Sequence, residues 1–83
     1  MSAIDHLLAV ARIYGKAEGV EIQTVSWRAL GDGKKLGAIA EGSDIQVRRF
    51  EKTMQWFSDN WPDGADWPRG IPRPVRMAAR AET

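Results

Sequence analysis

Eighty-three residues, 43% of them hydrophobic and 28% charged, suffice for one small hydrophobic core and are too apolar for a disordered chain. With no cysteine and a single histidine, His6, the sequence offers neither a disulfide framework nor the ligands of a Cys- or His-based metal site. Twelve basic against eleven acidic side chains leave a net charge of +1, so a polyanion-binding surface has to come from local clusters: Lys34-Lys35, Arg48-Arg49, and the run Arg69, Arg73, Arg76, Arg80, which no acid interrupts.

The first helix is predicted from Ala3 to Glu18. Ser2 is a good N-cap and Asp5 follows at capping-box spacing. Ile4, Leu7, Leu8 and Ala11 mark its buried face, Tyr14 extends that face, and Gly19 ends the helix. A second helix is predicted over Gln23 to Leu30, with Ile22, Val25 and Ala29 on its inner side and Gly31-Asp32-Gly33 as its stop. A short third helix, Lys34 to Glu41, carries Leu36, Ile39 and Ala40 inward and closes at Gly42. A fourth, capped by Ser43 or Asp44, repeats Val47, Phe50, Met54 and Phe57 at spacings of three and four; Trp61 prolongs the stripe and Pro62 terminates it. Beyond it, Pro62, Pro68, Pro72 and Pro74 with Gly64 and Gly70 forbid regular structure and predict an extended arm, anchored by Trp67 and Ile71. The expected fold is therefore all-α: a compact bundle of four to five helices over residues 1–62, followed by a Pro- and Arg-rich arm over 63–83.

The corner between the first two helices carries the functional reading. A helix-turn-helix needs a small residue where its helices cross, a glycine in the turn, apolar residues behind it, and a polar outer face on the second helix. Gly15, Gly19, Val20 and Val25 supply the first three. Gln23, Thr24 and Ser26 place polar groups where such a helix meets base edges and phosphates, and Trp27, Arg28, Lys34 and Lys35 lie next to them in sequence. The stretch resembles the helix-turn-helix of bacterial and phage repressors. Gly19-Val20-x-x-Gln23-Thr24-Val25-Ser26 is especially similar to the headpiece motif of the lactose-repressor family, while the helix pattern looks more like the lambda repressor/Cro-like domain. Small phage or prophage regulators that end their core with a Trp-Phe-Ser-Asp-Asn-Trp-Pro run, here Trp56 to Pro62, are similar as well. Two positions depart from the motif: Gly15 stands where alanine is usual, and Arg28 where an apolar residue is usual.

The resemblance implies a sequence-specific, double-stranded DNA-binding regulator, a repressor of a phage or prophage operon, acting as a homodimer without a cofactor. Trp56 and Trp61, or the arm, would supply the dimer surface, and Arg73, Arg76 and Arg80 of the arm would contact the DNA backbone. The rival expectation is a protein-binding module on the same scaffold, since a fold does not fix a function. Catalytic signatures are missing: there is no phosphate-binding glycine loop ending in Lys-Ser/Thr, no Gly-x-Ser-x-Gly and no His-Glu-x-x-His, so neither an enzyme nor a small-molecule substrate is expected. Asp59, Asp63 and Asp66 lack calcium-loop spacing, and no metal is assigned. No apolar run reaches the roughly 20 residues that span a bilayer. The start, Met1-Ser2-Ala3-Ile4-Asp5-His6, has no basic signal-peptide region, so a cytoplasmic location without membrane contact is expected.

Overall fold

A computed structural model describes residues 2–77. Among them are four helices and no strand: α1 (Ala3–Glu18), α2 (Ile22–Leu30), α3 (Lys35–Ala40) and α4 (Val47–Asp59). The described residues are all-α.

Local chemistry sets the ends of α1. The Ser2 hydroxyl accepts from the Asp5 amide at 3.2 Å and the Asp5 carboxylate accepts from the Ser2 amide at 3.2 Å, so two otherwise unpaired donors are satisfied. The backbone bond to Ser2, then the Ser2 hydroxyl, hold the Asp5 carboxyl below its ordinary range. At the other end Gly19 turns left-handed (φ 69°), and the amide of Val20 bonds the Gly15 carbonyl at 3.0 Å. The buried stripe of α1 is Leu7, Val10, Ala11 and Tyr14, with Ile4 and Leu8 only partly covered. It sits further along the helix than the predicted face, and both α2 and α4 pack against α1.

Helix α2 starts one residue before the predicted position and turns Val25, Ser26 and Leu30 inward; Ile22 stays 40% exposed and Ala29 is half-buried. In α3 Leu36 and Ile39 enter the core as predicted, but Ala40 faces solvent, and Lys34 and Glu41 only flank the helix. The third helix closes through the Gly42 amide on the Ile39 carbonyl and the Ser43 amide on the Ala38 carbonyl.

That closure accounts for a difference in α4. Ser43 and Asp44 do not cap it; the chain runs on through a partly buried Ile45, and the N-cap is Gln46, whose side chain makes no capping bond. Val47, expected inside, is 73% exposed. The inner face of α4 is Thr53, Met54, Phe57 and Ser58, with Phe50 half-buried at its edge. Two of these are polar and both are paired: the Thr53 hydroxyl donates to the Arg49 carbonyl at 2.7 Å and the Ser58 hydroxyl to the Pro74 carbonyl at 2.6 Å.

After α4 the chain has no helix or strand up to residue 77, yet it is tied down. Trp61 is buried and donates its indole N–H to the Ala65 carbonyl; Trp67 donates to the Ile71 carbonyl, and the two rings lie 4.8 Å apart. Ile71 enters the core. Arg73 then reaches back to α4, donating to the Ser58 hydroxyl at 3.0 Å and carbonyl at 2.9 Å, with its guanidinium 5.2 Å from the centre of Trp67. Gln55 adds a bond to the Val75 carbonyl at 2.8 Å. Trp67 and Ile71 thus hold the segment against the helices, and residues 71–77 line α4 rather than projecting from it.

Candidate nucleic-acid interface

The corner between α1 and α2 is built on close approach. A Cβ added at Gly15 would lie 3.1 Å from the Val20 carbonyl oxygen and 3.1 Å from a methyl of Val25, so glycine lets the turn and α2 settle against α1. With Val25, Ser26 and Leu30 turned inward, the outer ridge of α2 is Gln23, Thr24, Trp27 and Arg28. Gln23 is exposed, Thr24 is half-buried, and Trp27 is 63% exposed, outside the core. Its N-cap, Glu21, makes no side-chain bond to the first amides of the helix.

Arg28 is held. Its guanidinium donates to the Tyr14 hydroxyl at 3.1 Å and to the Glu18 carboxylate at 3.1 Å, forming a bridge from α2 back to α1. The Tyr14 hydrogen bond first, and the Glu18 contact after it, favour the charged form and raise the pKa of a group that is already a permanent cation. Lys34 is exposed, with its amide held by the Asp32 carboxylate at 2.9 Å; Lys35 is partly covered. Gln23, Ile22, Gly33, Lys34, Gly37 and Glu41 line one shallow groove of about 350 Å³ between α2 and α3.

Ser26 does not belong to this surface. It is fully buried, its hydroxyl donates to the Asp32 carbonyl, and it accepts from the Leu36 amide at 2.9 Å. A serine one turn before the helix end faces the loop that must fold back into α3, so its hydroxyl is used as a joint and not as a contact. Arg73 is likewise engaged with Ser58 and Trp67, while Arg76 is exposed and Arg80 lies outside the described residues. Trp61 is buried, which removes it from any dimer surface; Trp56 is half-buried.

A second basic surface was only half legible. Arg48-Arg49 stands out as a pair, and Lys52 follows Arg48 at one-turn spacing, but only the packing of α4 against the end of α2 joins them into a groove with Trp56. No helix among the described residues is long and apolar enough to cross a membrane, and none of their His, Asp and Glu side chains cluster to hold a metal ion. No protein family, characterised protein or solved structure matches the chain.

Proposed function

We propose that the protein binds double-stranded DNA through the outer ridge of α2, as a helix-turn-helix regulator, and that it does so as a homodimer repressing a phage or prophage operon. The observation that carries this reading is the α1–α2 corner. Gly15 and Gly19 bring the helices together, and α2 keeps Gln23, Thr24 and Trp27 outward with Lys34 beside Gln23. Gln23 stands at the leading end of the helix, where base contacts concentrate, and its amide can pair with adenine through two hydrogen bonds. Lys34 supplies a phosphate contact, and uncapped amides at the start of α2 suit an anion.

The test is a binding series over duplex variants at two salt concentrations. Gln23→Ala is expected to relax preference at one base pair per half-site by about 1–3 kcal/mol without changing the melting temperature. Lys34→Ala is expected to weaken binding to all sequences alike and to lower the salt slope by about one. Duplex affinity that is absent or independent of salt refutes the reading.

One observation favours the second reading, a protein-binding module. The ridge presents a large indole, and the acids Glu18, Glu21 and Glu41 border it. Exposed tryptophan in a mixed-charge rim is the composition of a protein hot spot. Under that reading Trp27→Ala abolishes partner capture while duplex DNA binds to neither form.

A further inference from the structure

The groove between the end of α2 and the start of α4 carries three cations. Ala29 and Leu30 form one wall; Arg48, Arg49, Lys52 and Trp56 form the other, enclosing an open groove of about 510 Å³ without a carboxylate in its lining. Arg48 and Lys52 make no ion pair with a described carboxylate. Arg49 is partly spent: it donates to the Leu30 carbonyl at 2.7 Å and so satisfies the end of α2, where a cation is favourable.

One of the other two cations, Arg48, sits where the helix least welcomes it. Arg48 is in the first turn of α4, which contains no acid and which Gln46 does not cap, and Lys52 follows it one turn on. A helix start carries partial positive charge, so added cations there cost stability unless an anion answers them. Nothing in the core needs them, because the inward positions of α4 are Thr53, Met54, Phe57 and Ser58.

The groove is linked to the α2 ridge through the core residue Tyr14. Arg28 bonds the Tyr14 hydroxyl, Tyr14 packs edge-on against Trp56 with ring centres 5.4 Å apart, and Trp56 lines the groove.

We infer that this groove is a second backbone-binding site, in which Arg48 and Lys52 hold consecutive phosphodiesters of the duplex engaged by α2. The inference rests on the DNA-binding reading, and it assigns non-specific affinity to α4 and sequence preference to α2. Each phosphate neutralised by a lysine or arginine releases about 0.9 counterion from B-DNA, so two contacts have a definite signature in the salt dependence.

The experiment compares the full chain with Arg48→Gln/Lys52→Gln in duplex binding from about 50 to 200 mM salt, scored on preferred and random sequences. Arg69→Gln, which removes an exposed cation outside both surfaces, is the control for bulk charge. The expected result is a salt slope lower by about two in the double variant, an unchanged ratio of preferred to random affinity, a melting temperature no lower than the parent's and a slope in Arg69→Gln equal to the parent's. A double variant that keeps the parental slope overturns the groove site and leaves the α2 reading standing. A parent chain that binds no duplex at any salt overturns both. Loss of binding to a polyglutamate probe in the double variant, with the duplex slope kept, assigns the groove to an acidic protein instead and also overturns the inference.

Discussion

Single residues here do work that their type does not reveal. Serine and arginine are ordinary candidates for nucleic-acid contacts, yet Ser26 and Arg73 are joints, one between α2 and α3 and the other between α4 and the segment behind it. Sequence shows the polar group but not the loop that returns to meet it. Ser26→Ala strands the buried amide of Leu36 and is expected to cost about 1–3 kcal/mol, a fall of several degrees in a melt of a chain this size, with no change in base preference among the molecules that remain folded. Gly15 is legible in a different way, because the spacing to Gly19 and Val25 already marks a crossing. Gly15→Val pushes two methyls against Val25 and the Val20 carbonyl, and overpacking of this kind costs about 1–3 kcal/mol in urea unfolding. Asp5 sets an acid limit. Its carboxyl is depressed in the folded chain, so its stabilising effect is complete above the unfolded value and is lost as pH falls through the folded one. Asp5→Asn should lower the melting temperature slightly in the neutral region, leave it unaltered at the acid end, and so flatten the acid limb.

At the scale of elements, legibility followed locality. The bounds of α1 could be read because Ser2, Asp5 and Gly19 act within a turn of themselves. The start of α4 could not, since Ser43 and Asp44 have the side chains of good caps and lose that role to the closure of α3 and the burial of Ile45. The candidate site divides the same way: the polar ridge of α2 follows from helix spacing, whereas the basic groove depends on how α4 crosses α2. Prolines 62, 68, 72 and 74 correctly excluded regular structure, but a count of prolines says nothing about where an irregular segment lies. Its position is fixed by indoles: Trp67 covers Trp61, carries Arg73 and bonds Ile71. Trp67→Ala is therefore expected to destabilise the whole domain by about 3 kcal/mol, in the range of large aromatic truncations, and to expose sites after residue 62 to limited proteolysis.

For the whole molecule, a near-neutral chain separates its charges in space, with Arg28 and Glu18 paired on one flank and Arg48 and Lys52 in the groove, without an ion pair to a described carboxylate. Steering toward a polyanion then depends on orientation more than on net charge. A single α2 buries little area on a duplex, which is why the proposed regulator is expected to sediment at twice the monomer mass in the presence of a two-fold site. Light scattering that gives the monomer mass with and without DNA removes the dimer from the proposal.

The four tryptophans occupy a graded series of surroundings, from Trp27 at 63% exposure, through the half-covered Trp56 and Trp67, to Trp61 at 5%. An excited indole in water relaxes its neighbours and emits to the red, while one in a rigid apolar site emits to the blue, so the native spectrum should be a composite. Iodide should extinguish the red component first and leave the blue intact, and Trp27→Phe should delete that quenchable fraction almost alone. A ligand seated on α2 should shield the red component, and loosening of residues 61–77 should shift the blue one. The chain thus carries two internal optical probes, one at its candidate contact face and one at its seam, and a single emission scan distinguishes binding from unfolding without a label.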